Sequence, residues 1–140
     1  MQATYDKFLP QGVPGWQMPF WDSLKRHSVE VQRCDSCGTF RYVPKEICPR
    51  CHSRSATWTP VDGSGEIYTY TIVRRAPTPA YQAQAPYAIV HVAMREGFRM
   101  IGSTTGIDLD AVRIGLPVRV AYYDATPDWT LLTFAAGEAQ

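Results

Sequence analysis

Val31-Gln32-Arg33-Cys34-Asp35-Ser36-Cys37-Gly38 is followed by Cys48-Pro49-Arg50-Cys51, with ten residues between the two cysteine pairs. These are the only four cysteines in the chain. Two Cys-x2-Cys knuckles at this spacing can carry four sulfurs to the corners of one tetrahedron, the arrangement of a structural Zn²⁺ with Zn–S near ~2.3 Å. Two disulfides would need an oxidising compartment, and the N-terminus lacks the basic and apolar regions of a secretory signal. A thioredoxin-type redox site would show a single Cys-x-x-Cys beside a βαβ pattern. Iron in a rubredoxin-like site uses similar knuckles, and Cys37-Gly38 and Cys48-Pro49 fit that style. The second knuckle, however, continues Cys51-His52-Ser53, where that pattern places glycine. Zinc is therefore the expected ion at Cys34, Cys37, Cys48 and Cys51, ahead of iron. Four thiolates leave no open position for water, so the expected role is structural. His27 and His52 read as surface residues beside a filled site.

Outward from the cysteines, the chain divides into an aromatic arm with a short helix (1–27), a zinc ribbon (28–56) and a β-rich segment (57–140). The arm carries Trp16, Phe20 and Trp21 among Pro10, Pro14, Pro19, Gly12 and Gly15. Proline and glycine forbid a long helix before about residue 19, and Pro19 suits the first turn of a short one. Such an arm must lie on this chain's own core or on a partner, and aromatic residues are enriched at interface hot spots. In the ribbon, Val29 and Val31 alternate with polar residues as a short strand, and Phe40, Tyr42 and Val43 read as a second. The ribbon has almost no apolar core, so a metal is expected to supply its stability, on the order of 10 kcal/mol in comparable domains.

The third segment reads as five strands: Gly65–Val73, Tyr87–Met94, Phe98–Ser103, Pro117–Tyr123 and Trp129–Phe134. All are rich in β-branched and aromatic residues, with glycine and proline at the bends. Five strands in about 80 residues suit a small closed barrel, for which the OB-fold is the common solution. The expected class is thus mainly β: a helical arm, a rubredoxin-like zinc ribbon and a five-stranded OB-fold.

Charge narrows the function. The chain nets +1. Residues 25–54 hold seven basic and three acidic residues, which partly offsets the negative charge of a four-thiolate zinc site. The remainder holds seven basic and ten acidic residues. A surface built for a polyanion shows a basic stripe, so single-stranded nucleic-acid binding through Tyr68, Tyr70 and Phe98 is the weaker alternative. The sequence has no run of ~18 apolar residues that could span a membrane. The expected setting is the cytoplasm.

The motifs of catalysis are missing. Gly63-Ser64-Gly65 is too tight for a nucleophile elbow and reads as a turn opening a strand. The chain has no His-Glu-x-x-His, no P-loop and no Gly-x-Gly-x-x-Gly. His91 reads as a satisfied or barrel-lining histidine, and Asp108 and Asp110 as turn residues. A stand-alone enzyme acting on a thioester would need an activated nucleophile, and none is visible. Arg74-Arg75, at the root of an aperiodic stretch running to Pro86, offers planar forks suited to phosphate.

In the order of these motifs the chain resembles a family of acyl-CoA-associated proteins in which a rubredoxin-like zinc ribbon precedes an OB-fold. The resemblance spans about residues 16–136. It rests on Phe20-Trp21, both cysteine pairs with Phe40-Arg41-Tyr42-Val43-Pro44, Gly63–Thr71, Pro86-Tyr87 and Ile114-Gly115-Leu116-Pro117-Val118. It implies a non-catalytic accessory subunit of a thiolase-superfamily enzyme, in a heteromer of possible two-plus-two stoichiometry. Such a subunit stabilises its partner and helps bind or shield CoA or acyl-CoA at a shared interface. The partner class stays open among thiolases, acyltransferases and lipid-transfer-protein-like aldolases. Arg74 or Arg75 is then expected at the CoA phosphates, and Trp16, Phe20 and Trp21 at the partner.

Overall fold

A computed structural model describes residues 5–138. Residues 1–4 of the expected arm and 139–140 of the expected barrel segment lie outside them. A single 3₁₀ turn, Gly15–Gln17, leads into helix α1, Met18–Lys25, with Pro19 in its first turn as its missing N–H allows. The helix buries Phe20, Ser23 and Leu24, the i, i+3, i+4 face of an amphipathic helix. It ends where His27 adopts a positive φ of 54°. His27 N–H then donates to the Leu24 carbonyl (2.9 Å) and Ser28 N–H to the Ser23 carbonyl (3.1 Å), the pairing of a Schellman cap. The Ser23 hydroxyl donates to the Phe20 carbonyl (2.6 Å) and accepts from Glu30 N–H (3.0 Å), binding the helix to the next strand.

That strand, β1 (Glu30–Cys34), is the centre of a three-stranded antiparallel sheet with β2 (Phe40–Arg41) and β3 (Ala56–Pro60). The second ribbon strand stops at Arg41, short of the expected Val43. Strand β3, which the sequence does not predict, pairs with β1 from Glu30↔Pro60 to Cys34↔Ala56.

The rest of the fold is a closed barrel of β4 (Ser64–Val73), β5 (Tyr87–Met94), β6 (Arg99–Thr104), β7 (Pro117–Asp124) and β8 (Thr130–Ala136), ordered β4-β5-β6-β8-β7. Every pairing is antiparallel except β6 with β8. A one-turn helix α2, Pro79–Gln82, interrupts the stretch before β5, where no regular structure was expected. Along β5 the buried residues Ala88, Val90, Val92 and Met94 alternate with half-buried Ile89, His91 and Ala93. His91 therefore faces outward, edge-on to Tyr68 at 6.2 Å, and does not line the barrel. None of the described helices is long and apolar enough to cross a membrane.

Helix, ribbon and barrel share one core. Phe20, Leu24, Val29 and Val31 cluster with Ile67, Val90, Val92, Met100, Val118 and Phe134. The seam is closed by Phe40 stacked on Phe98 at 5.0 Å, and by Val29 N–H donating to the Tyr122 hydroxyl at 2.9 Å. Two glycines explain the Gly63-Ser64-Gly65 motif. Gly63 sits at φ 85°, where its carbonyl accepts Val120 N–H at 2.7 Å. At Gly65 a Cβ would lie 2.4 Å from the Ala93 carbonyl oxygen and 2.8 Å from Val92 Cγ1, so β4 and β5 can approach only around a hydrogen. Gly65→Ala is expected to cost about 1–3 kcal/mol, the range of core overpacking, measured by urea unfolding.

Candidate metal centre

The two knuckles are near copies. Gly38 N–H donates to the Cys34 carbonyl (3.0 Å) and His52 N–H to the Cys48 carbonyl (3.0 Å). Each first cysteine in turn donates its N–H past the knuckle, Cys34 to Thr39 (2.8 Å) and Cys48 to Ser53 (2.9 Å). Both turns require a positive φ after the second cysteine. Gly38 supplies it at 74°, and His52 takes the same conformation at 63°. The missing glycine thus leaves the knuckle geometry intact.

The four sulfurs lie within 4.8 Å of one another. Cys34 and Cys51 approach to 3.5 Å, and Cys37 and Cys48 to 3.6 Å. A tetrahedral zinc–thiolate site has sulfur–sulfur edges of about 3.8 Å, from a bond of about 2.3 Å, so the four cysteines are positioned to bind a metal ion. Cys34 and Cys48 are buried. The first knuckle is tied to β3 through Asp35, whose carboxylate accepts from Ser55 (2.5 Å) and Thr57 (2.6 Å).

The thiols are not electrostatically alike. Cys34 is held down at about 6, chiefly by the Cys37 N–H and against the opposing effect of desolvation. Cys48 is also lowered, with the Cys51 N–H as the main cause. Cys51 accepts from the Ser53 N–H, which favours its thiolate, yet the crowding thiols of Cys34, Cys37 and Cys48, together with desolvation, push it up to about 11. A metal must therefore displace the proton of Cys51 at neutral pH. Below about pH 6 protons also hold Cys34. Apparent metal affinity is expected to rise with pH and to fall steeply below pH 6, with proton release on loading. Calorimetry in buffers of different ionisation enthalpy checks this.

Arg41 is a residue beside the candidate site that the sequence does not single out. It is 1% exposed. Its guanidinium donates to the carbonyls of Lys45 (3.3 Å), Ser53 (2.9 Å) and Ser55 (3.1 Å), and it favours the Cys34 thiolate. A buried cation thus sits beside the centre where four thiolates would gather.

The remaining candidates are dispersed. Phe20 is 5% exposed and belongs to this chain's own core. Trp21 is half-buried, edge-on to Trp129 at 5.4 Å, and Trp16 is 38% exposed. Of the three, Trp16 offers the most surface to another molecule. Arg74 and Arg75 are exposed where β4 ends. Arg74 lines a shallow cavity of about 690 Å³ together with Asp108 and Asp110, whose carboxylates oppose a phosphate there. Asp108 precedes a 3₁₀ turn, Leu109–Ala111, and Asp110 lies within it. The proposed stacking platform is largely filled, since Phe98 packs on Phe40 and the Arg99 guanidinium covers Tyr68 at 3.7 Å.

Fold and site together define a rubredoxin-like zinc ribbon joined to an OB-fold. Residues 21–56 match the family model described as the ChsH2 rubredoxin-like zinc ribbon domain, and residues 58–122 the model of the ChsH2 C-terminal OB-fold domain. The chain is 33% identical to a DUF35 domain-containing scaffold protein of Methanocaldococcus jannaschii, over 73% of each protein. The chain belongs to this DUF35 family. It is also 34% identical to a probable enoyl-CoA hydratase alpha subunit of Thermomonospora curvata, over 82% of this chain and 36% of that protein. The chain thus spans about a third of that relative's length. Among solved structures it resembles a chain of the Ltp2-ChsH2(DUF35) aldolase, with a TM-score of 0.79 and 29% identity over 91% of this chain and 98% of that one.

Proposed function

We propose that this chain is a non-catalytic accessory subunit that docks on an enzyme acting on acyl-CoA thioesters and stabilises it. The observation that carries this is the match across 98% of a chain from an aldolase complex, joined by relatives named as scaffold proteins. In this reading Cys34, Cys37, Cys48 and Cys51 hold Zn²⁺. The ion makes the ribbon rigid and has no bond-making role, because four thiolates fill its coordination. The partner is a thiolase-superfamily enzyme, of which an aldolase is the favoured kind. A hydratase partner is the second reading, favoured by the relatives named as hydratase alpha subunits.

The aromatic arm is the proposed docking element, with Trp16 as its exposed anchor. Arg75, with Arg74 beside it, is offered to the CoA phosphates at the shared interface, and bidentate guanidinium contacts suit that chemistry. The test is co-expression with the partner enzyme. Removing residues 1–17 should abolish co-purification. Replacing both arginines with alanine should preserve the complex and weaken CoA binding to it. Intact co-purification without the arm would refute the docking role, and unchanged CoA affinity the arginine role.

A further inference from the structure

Two adjoining cavities, about 390 and 600 Å³, share Tyr81, Gln84, Ser103 and Thr104. Both fall in the range of small-molecule sites, roughly 300–1,000 Å³. The N-terminal arm borders them through Tyr5 and Lys7, α2 through Tyr81, and the barrel through β6 and β8.

Lys7 is the single charged side chain among the described residues lining either cavity. Its side chain is 17% exposed. Its ammonium lies 5.7 Å from the ring centroids of both Tyr5 and Tyr81. Each of these rings is backed by another: Tyr5 by Tyr123 and Tyr81 by Tyr87, both at 6.2 Å. Asp6, which is exposed, takes one ammonium hydrogen bond at 3.0 Å. An ammonium has three donors, so two remain for a ligand.

We propose that this groove binds a flat aromatic carboxylate, its carboxylate on Lys7 and its ring against the tyrosine pairs. Aromatic faces at this spacing favour an offset or edge-on ring over an aliphatic chain. One cation without a second nearby matches a monoanion better than a phosphate dianion. Ser103, Thr104 and Thr133 are polar residues of the same lining, which suits a polar ring substituent. The site is independent of the metal centre; Tyr5 and Lys7 belong to the same arm as the docking element, so the site is tested on the free, full chain.

The test titrates 2-naphthoate into the full chain by calorimetry. The comparators are 2-naphthylmethanol, which keeps the ring without the charge, and cyclohexanecarboxylate, which keeps the charge without the ring. Saturable one-to-one binding of 2-naphthoate ahead of both is expected. Lys7→Met should weaken 2-naphthoate roughly tenfold or more, the weight of one charge-assisted hydrogen bond, and leave 2-naphthylmethanol unchanged. Tyr81→Ala should weaken both ring compounds. Circular dichroism verifies that each variant is folded. No saturable binding at millimolar ligand, equal binding of the comparators, or indifference to Lys7→Met overturns the proposal. So does binding of tetramethylammonium to the Lys7→Met variant, which would mark the tyrosines as a cation cage that Lys7 itself fills.

Discussion

Removal of the metal with a chelator, or the substitution Cys48→Ser, is expected to melt residues 34–56 while the barrel stays folded. The ribbon sheet is small: β2 has two residues, and β1 and β3 have five each. Between β2 and β3 the chain has no regular structure, and the two knuckles are held by turns around the sulfurs. A structural zinc contributes on the order of 10 kcal/mol in small domains of this kind, far more than so short a sheet can replace. The barrel closes through its own five strand pairings, none of which involves the ribbon, and itself supplies Ile67, Val90, Val92 and Phe134 to the core. Hydrogen exchange should therefore show protection lost across 34–56 and retained across β4–β8. Helix α1 should loosen only partly, since Phe20 and Leu24 pack into the shared core. Full protection of the ribbon after metal removal would show that the sulfur cluster is dispensable.

The second large effect is expected at Arg41. Substituting methionine fills much of the volume but leaves three carbonyls, those of Lys45, Ser53 and Ser55, without their buried donor. It also removes the cation beside the thiolates. Breaking a buried charged network by deleting one partner costs about 3–5 kcal/mol. Groups that support metal ligands typically change affinity by about 10–100-fold. Arg41→Met should therefore lower the stability of the metal-loaded protein by that amount and weaken its metal affinity. Arg41→Lys should recover part of the affinity and little of the stability, because one ammonium cannot reproduce the planar fork. Denaturant unfolding and competition with a metal-binding dye measure the two effects separately.

The contrast between Arg41 and the cysteines shows what the sequence makes legible. A knuckle is a local object, so Cys34-x2-Cys37 and Cys48-x2-Cys51 announce their geometry through spacing alone. The barrel strands are legible for a similar reason. Tyr87–Met94 has the same bounds in sequence and structure because a nearly continuous apolar run is closed off by Pro86 on one side and the Arg95-Glu96-Gly97 turn on the other. Arg41 is buried by carbonyls 4, 12 and 14 residues further on, a convergence that no local pattern encodes. Strand β3 is not legible in the sequence because Thr57, Thr59 and Pro60 around Trp58 give weak alternation, and its partner β1 lies more than twenty residues earlier. The aromatic arm was legible as a packing element, but its division was not. Phe20 turns inward on the helix face shared with Leu24, while Trp16, before α1, stays at the surface. The faces of β5 are both apolar enough that the outward placement of His91 appears only once the barrel closes.

The most direct test of the accessory role is reconstitution. The partner enzyme, identified by co-purification from the source cells, is assayed for acyl-CoA turnover alone, with the metal-loaded chain, and with the chain stripped of metal. A stoichiometric complex is expected, with activity that requires the loaded chain and is lost with the stripped one, while the chain alone turns over nothing. Full activity of the enzyme without this chain, or turnover of acyl-CoA by the chain alone, would contradict it.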